Sequence, residues 1–260
     1  MPVVRARVAR SLLAGQVGGS NTDTSEDILK RVELAFEHDR RIDFHKHRIK
    51  IALDSDGTLV LEGEVGNIAA KKIALERAAA ISGGIVDRLR VAPSKRMGDG
   101  EIRDHVRDAL LEEACFAGCN IRTADSGGSG GKSTVAPQSW IDVVVADGVV
   151  TLDGQVSSLS HKRLAGVLAW WVPGSRDVVN GLEVVPDQKD SDGEIAEAVK
   201  LVLEKDPFVN ANRIRVTIRD AVVTLEGLVL NHSEREMAEM DAWYVFGVDG
   251  VINNLAVQTE

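Results

Sequence analysis

The segments VVTLDGQV (149–156) and VVTLEGLV (222–229) decide the fold, because they are nearly identical and the same residue pattern follows each of them. A related segment, TLVLEGEV, spans residues 58–65. Aligned on Gly154 and Gly227, the two later copies continue without a gap to the apolar segment that closes each copy. Self-similarity on this scale predicts tandem copies of one structural unit.

An amphipathic helix opens each predicted copy. In DGEIRDHVRDALL and DGEIAEAVKLVL, apolar residues recur at i, i+4, i+7 and i+8, which places them in one stripe along a helix. Asp99 and Asp192 are the predicted N-caps of these helices, and Ser25 precedes the equivalent helix of the first copy.

A hairpin follows each opening helix. The dipeptides Asp56-Gly57 and Asp147-Gly148 supply the positive φ angles that a two-residue turn requires, whereas Asp220-Ala221 is a weaker turn. A second helix and a last strand complete each copy, and the helical crossover leaves this strand parallel to its neighbour.

The predicted fold class is therefore α+β: three tandem αββαβ units, each a small three-stranded mixed sheet packed on two helices. The predicted domains are a flexible arm at 1–22, a first domain at 23–93, a second at 97–186 with a Gly/Ser-rich insertion at about 123–138, and a third at 190–260.

The insertion contains DSGGSGGKSTVAPQSW (125–140), which resembles a nucleotide-binding P-loop. The spacing does not fit, because five residues before Gly131 the chain has Ser126 where the motif requires glycine. Pro137 also lies where the helix that follows a P-loop would lose a hydrogen bond. We therefore expect a tolerant loop without a nucleotide role.

The residues around the repeated strand resemble the BON domain, named for bacterial osmotically inducible and nodulation proteins. The matching positions are Gly154, Gly174, Asn180 and Leu182 in the second copy and Gly227, Gly247, Asn253 and Leu255 in the third. The first copy is the poorest match. The resemblance implies phospholipid binding or membrane stabilisation under stress, without known catalytic residues. Most BON proteins are associated with the cell envelope, and one cytoplasmic relative binds potassium.

Charge is unevenly distributed along the chain. Residues 1–96 carry 17 basic and 13 acidic side chains, whereas 187–260 carry 7 and 15, within a net charge of −9. The acidic total argues against nucleic-acid binding. Contact with an anionic surface is expected from the first third, and the candidate residues are Arg5, Arg7, Arg10, Arg40 and Arg41.

Aromatic residues are only 4% of the chain, yet a pair recurs at the same place in two copies. Trp170 and Trp171 flank the apolar stripe of their predicted helix, as do Trp243 and Tyr244, and Phe246 follows at the helix end. These five residues are candidates for contact with a membrane or a protein partner, or for packing between copies. We expect Trp170 and Trp243 to be packed, and Trp171 and Tyr244 to be exposed.

The sequence predicts a binding protein, not an enzyme, with no catalytic constellation, no cofactor and no divalent-metal site. The partner is expected to be a phospholipid membrane surface or a protein. Two alternatives stay open: a soluble sensor of a small ligand or a monovalent cation such as potassium, and a structural scaffold that forms homo-oligomers through sheet edges. The first twenty residues show no signal peptide or lipoprotein cysteine, which predicts a cytoplasmic protein, peripheral to the membrane if it binds there.

Overall fold

The computed structural model describes residues 24–44, 46–123 and 139–258. Over these ranges the fold is α+β, with six α-helices and three small mixed sheets. The chain divides into two compact units, Met1–Ala92 and Pro93–Glu260. The P-loop-like segment and the N-terminal arm lie outside the described residues.

The first unit contains one module, which we call the first module. Its elements are α1 (Ser25–Glu37), β1 (Ile49–Leu53), β2 (Leu59–Val65), α2 (Ile68–Ala79) and β3 (Ile85–Val91). The central strand β2 pairs antiparallel with β1 and parallel with β3. Both helices bury their apolar stripes on one face of this sheet, with Val32 and Phe36 of α1 fully buried.

The second unit contains two further modules. The second module comprises α3 (Asp99–Glu112), a 3₁₀ turn (Ala114–Phe116), β4 (Asn120–Thr123), β5 (Trp140–Ala146), β6 (Val149–Val156), α4 (Leu159–Trp171), β7 (Asp177–Asn180) and β8 (Glu183–Val184). The third module comprises α5 (Asp192–Lys205), a 3₁₀ turn (Ala211–Arg213), β9 (Ile214–Arg219), β10 (Val222–Val229), α6 (His232–Tyr244) and β11 (Gly250–Val257).

The sheet of the second module differs from the prediction of three strands. Its order is β4-β5-β6-β7, and β8 also pairs with β6 because the last strand is interrupted between Asn180 and Glu183. The unexpected strand β4 runs parallel to β5 at the sheet edge. It brings Arg122 beside Asp142, whose carboxylate accepts a 2.8 Å hydrogen bond from the guanidinium. Asp142 is directly opposite Asp153 on β6, so Arg122 offsets a like-charge pair on the outer face of the sheet.

The predicted N-caps of the opening helices are each one residue too late. The caps are Thr24, Gly98 and Ser191 instead of Ser25, Asp99 and Asp192. The aspartates are the first helical residues, and each accepts hydrogen bonds from the hairpin turn of its own module. Asp192 accepts from the backbone N–H groups of Asp220 (2.8 Å) and Ala221 (3.1 Å), and Asp99 does the same with Asp147 and Gly148.

These hydrogen bonds help to hold turns of unusual conformation. Asp220 and Ala221 both have positive φ, at 50° and 61°, a backbone region that residues other than glycine seldom adopt. The first module lacks such a turn, and the prediction of a two-residue turn at Asp56-Gly57 is wrong. Five residues, 54–58, connect β1 to β2, because Leu53 and Leu59 form the last cross-strand pair.

The repeated glycine of the central strand is required by a close backbone approach. Gly63, Gly154 and Gly227 have φ between 139° and 145°. A Cβ atom on Gly227 would lie 2.0 Å from the carbonyl oxygen of Arg213, which is inside van der Waals contact. This glycine therefore specifies the sheet and contributes no side chain to a binding site.

The second and third modules share one continuous apolar core, which extends from Ile102 of α3 to Leu255 of β11. Helix α4 packs on α5 and α6 of the third module as well as on its own sheet. The two modules therefore form a single packed body in which α4 is the central helix.

Candidate binding surfaces

The asparagines of the BON-like pattern join helix to strand. The Asn180 side chain donates to the carbonyl oxygen of Lys162 (2.7 Å), and that of Asn253 donates to the carbonyl oxygen of Arg235 (3.0 Å). In the first module Asp87 stands at the same register, and it forms an ion pair of 3.1 Å with the buried ammonium of Lys71. These residues therefore hold the second helix of each module against its last strand.

The candidate aromatic residues meet at the junction between the second and third modules. The rings of Trp170 and Tyr244 stack across it, with centroids 5.7 Å apart and an interplanar angle of 21°. Trp243 is 1% exposed. The expectation that Trp171 and Tyr244 are exposed is wrong, because both are only partly accessible and pack against the shared core.

Trp171 also makes a polar contact across the junction. Its indole N–H donates to a carboxylate oxygen of Asp241 on α6 at 3.0 Å. Asp241 is 3% exposed. The pKa of this carboxyl is raised to about 8, mainly by burial and further by the nearby charge of Asp206. The hydrogen bond from Trp171 acts in the opposite direction and lowers the pKa. Burial and the neighbouring Asp241 also raise the pKa of Tyr244.

Arg163 of α4 is a second polar residue of the junction that the sequence did not reveal. Its side chain is fully buried, donating from Nε to the carbonyl oxygen of Phe246 (2.9 Å) and from Nη2 to Asp190 (2.6 Å). Asp190 lies in the segment between the modules, and Phe246 follows α6. Arg163 therefore ties the third module to α4 at two points. A charged residue at a helix position that periodicity assigns to the core is the signal that could have identified it.

Phe246 is the candidate aromatic residue that keeps a large exposed area, 51% of its surface. The Lys162 ammonium lies 5.3 Å from the centroid of its ring, within the range of a cation–π contact. Burial and the adjacent Arg163 lower the pKa of Lys162. Of the aromatic candidates, Phe246 therefore offers the most surface to a partner.

The candidate arginines fall into two groups. Arg5, Arg7 and Arg10 lie outside the described residues. Arg40 and Arg41 are exposed at the end of α1. Arg41 pairs with Asp39 at 2.7 Å, and its hydrogen bonds hold the pKa of Asp39 at about 2, so much of its charge is locally balanced.

A basic surface that the sequence did not reveal lies at one end of the outer face of the first sheet. Side chains there form two cross-strand rows, each with an acidic residue on β2 between two basic residues on the flanking segments. One row is Lys50–Glu62–Arg88 on β1, β2 and β3; in the other, Glu64 pairs with Arg90 of β3, and Arg48 immediately precedes β1. We call these six residues the basic face. It carries two more positive than negative charges, and alternation along β1 and β3 is the signal that could have predicted it.

The described ranges contain no cluster of three His, Cys, Asp or Glu side chains able to hold a metal ion. None of the six helices described is long and apolar enough to cross a bilayer.

Two segments of the chain, residues 131–186 and 191–259, match the family described as the BON domain. They fall in the second and third modules, so the match comprises two segments and not the three copies that the repeats predicted. No curated protein matches the chain.

Among solved structures, the chain is similar to the C-terminal domain of CdsD, a structural protein of the type III secretion system of Chlamydia trachomatis. The identity is 12%, the coverage is 90% of this chain and 98% of that chain, and the TM-score is 0.24. A second CdsD structure matches at 14% identity and a TM-score of 0.23, with 89% and 92% of the two chains covered. Scores this low support no argument about fold or function.

Proposed function

We propose that this chain is a non-enzymatic binding protein that contacts anionic phospholipid surfaces through its first module. The basic face is the observation that carries the proposal, because its four basic side chains lie on one side of one sheet. Each basic group close to an anionic bilayer contributes about 1 kcal/mol of attraction, which falls off within a Debye length. The BON-domain resemblance implies the same class of ligand.

In this proposal the second and third modules form one body that does not contact the membrane, and the first module makes the membrane contact. The third predicted domain and the segment before it carry 7 basic and 15 acidic groups, so an anionic bilayer would repel them. Four of the five aromatic candidates lie in the junction, where they stabilise the module pair instead of inserting into lipid. Phe246 is the candidate point at which this body contacts a protein partner.

Vesicle co-sedimentation tests the lipid proposal. The full chain should bind vesicles that contain 30% phosphatidylglycerol, bind neutral phosphatidylcholine vesicles weakly, and lose affinity as salt is raised. Lys50→Glu combined with Arg88→Glu should weaken binding to the anionic vesicles at least tenfold. The matched control is Arg215→Glu combined with Arg219→Glu, which alters exposed residues of the third sheet and should change binding little. Equal losses in both double variants would contradict the assignment to the first module.

A structural scaffold is the second candidate, and one feature favours it. Strand β11 is an eight-residue edge strand whose outer face carries Ile252, which is 49% exposed. Long edges with exposed apolar residues pair readily with other chains. Sedimentation equilibrium of the wild type and of Ile252→Lys tests it: a dimer that becomes a monomer in the variant supports the scaffold, and an unchanged mass contradicts pairing through β11.

Binding of a monovalent cation stays a prediction. Thermal unfolding in KCl and in NaCl at equal ionic strength tests it, because a ligand that binds the native state raises the melting temperature. Equal melting temperatures would remove potassium from consideration.

A further inference from the structure

A surface pocket of about 430 Å³ lies on the third module, where the segment after α5 meets the start of α6. Its walls include Phe208, Val209 and Leu230. Phe208 is 72% exposed and Leu230 is 57% exposed, whereas Val209 forms part of the core and is 8% exposed. Two large apolar side chains thus stand at the rim of a concave surface.

In the second module, an aromatic side chain fills the place that corresponds to this pocket. Aligned on the starts of α3 and α5, Phe116 takes the place of Val209. Phe116 is 2% exposed, and its ring packs edge-on against His161 with centroids 5.6 Å apart. The third module has the smaller valine, so the space that a phenyl ring occupies in the second module is left open in the third.

The third module holds the open pocket in shape with a buried carboxylate. Glu234, which aligns with His161, is 4% exposed. It accepts hydrogen bonds from the backbone N–H of Asn210 at 2.9 Å and of Leu230 at 2.7 Å. Asn210 belongs to the segment after α5 and Leu230 to the segment before α6, so Glu234 holds the two lining segments together before any partner binds, which lowers the entropic cost of binding.

The rim of the pocket offers one acidic side chain and two neutral amides that the described residues do not engage. Glu204 is exposed and makes no ion pair or hydrogen bond with the described part of the chain, and the side-chain amides of Asn210 and Asn212 are equally uncommitted there. The adjacent Lys205 is engaged with Glu113 of the second module at 2.6 Å. A partner would therefore meet a negative carboxylate beside an apolar hollow.

We propose that this pocket is a docking site for a polypeptide segment that presents an apolar side chain next to a lysine or arginine. The apolar side chain would fill the space above Val209 between Phe208 and Leu230, and the basic group would pair with Glu204. A few anchors of this kind contribute most of the affinity of protein interfaces. The negative rim disfavours the headgroups of an anionic membrane, so the site is distinct from the basic face.

The test uses the full chain and an array of defined decapeptides. Each has leucine, phenylalanine or serine at its centre, flanked by lysine and arginine, by glutamate or by serine. The wild type should retain peptides with an apolar centre and basic flanks at least tenfold more strongly than those with a serine centre or acidic flanks. Glu204→Lys should move the preference toward acidic flanks. Val209→Phe, which copies the second module, should reduce binding at least about tenfold.

Two further variants complete the test. Leu230→Ser introduces at an exposed position the serine that the second module has at Ser157, and it should also weaken peptide binding. This variant tests the proposal even if Val209→Phe does not fold. Leu111→Lys, the second-module counterpart of Glu204, should leave the array pattern unchanged. The proposal is overturned if no apolar–basic preference exists, or if the preference survives both Leu230→Ser and Glu204→Lys. Loss of anionic vesicle binding in Phe208→Ser would assign the pocket to lipid instead, and would also overturn it.

Discussion

The indole N–H of Trp171 donates a hydrogen bond of 3.0 Å to the carboxylate of Asp241, and this contact joins the second module to the third. Asp241 is buried beside a second acidic residue, Asp206, whose Oδ1 accepts the backbone N–H of Phe208 at 2.8 Å. A buried carboxylate next to another negative charge ionises only at high cost. A protonated Asp241 still accepts from Trp171 and removes one of the two negative charges, so the junction is most stable when Asp241 holds its proton.

This arrangement predicts that stability falls as pH rises from about 4 to about 8. The carboxyl loses its proton near its ordinary pKa of 3.8 in the unfolded chain but near 8 in the native protein. Between these values the native state binds one proton more, so the free energy of unfolding decreases with pH. Asp241→Asn can still accept from Trp171 and carries no charge, so it should raise the free energy of unfolding at pH 8 by roughly 1–3 kcal/mol.

Urea unfolding at pH 5 and pH 8 measures this effect. The difference between the two pH values should shrink in Asp241→Asn, whereas the exposed Asp187→Asn should leave it unchanged. A pH dependence that is the same in both variants would show that Asp241 is ionised in the junction.

The aromatic residues of the junction should contribute to stability more than to binding. Trp171→Ala should lower the free energy of unfolding by about 3 kcal/mol, because it removes a large packed side chain and the hydrogen bond to Asp241. Phe246→Ala should cost less than about 1 kcal/mol, since half of the ring is already exposed. Chemical unfolding measures both values. Acrylamide should quench the fluorescence of Trp243 poorly in the native state, because this side chain is buried. A loss in Trp171→Ala below 0.5 kcal/mol, as for an ordinary surface site, would place Trp171 on a free surface.

The sequence revealed the elements whose signals are local. The stripe that includes Val199 and Leu203 predicted α5, and Asp147-Gly148 predicted the β5–β6 turn. These features need only neighbouring residues and the periods of helix and strand. The predicted starts of α3 and α5 were displaced by one residue, because an aspartate can either cap a helix or occupy its first turn. Asp192 occupies the first turn of α5, where it accepts a hydrogen bond from Asp220 in a turn far along the chain.

The junction could not be predicted because its contacts are distant in sequence. Trp171 and Asp241 are on different helices of different modules, and helical periodicity alone placed Trp171 on an exposed flank. A second copy of the fold covers that flank. The same reasoning applies to Arg163, whose partners lie in the segment before α5 and after α6. Strand β4 was missed because it is four residues long and pairs across the insertion.

The insertion should have no nucleotide role. Lys132→Ala should leave stability and every binding activity unchanged, because the glycine spacing does not fit a P-loop and the other copies lack the segment. Isothermal titration with ATP and magnesium measures this, with the wild type as the reference. Micromolar binding that disappears in Lys132→Ala would make the segment a functional loop.

The repeated glycine should tolerate no side chain, although another glycine of the same module should. Gly227→Ala would place a Cβ atom 2.0 Å from the carbonyl oxygen of Arg213 at a φ of 145°, so the strand must shift. The free energy of unfolding should fall by at least about 2–3 kcal/mol, since the cost of backbone strain adds to that of a broken strand contact.

Gly193→Ala is the matched control. Its Cβ atom would lie 3.6 Å from the nearest other group, in the first turn of α5, where alanine favours the helix. Thermal and urea unfolding should therefore show a large loss for Gly227→Ala and none for Gly193→Ala. Equal stabilities would mean that the close approach of β9 to β10 relaxes without cost.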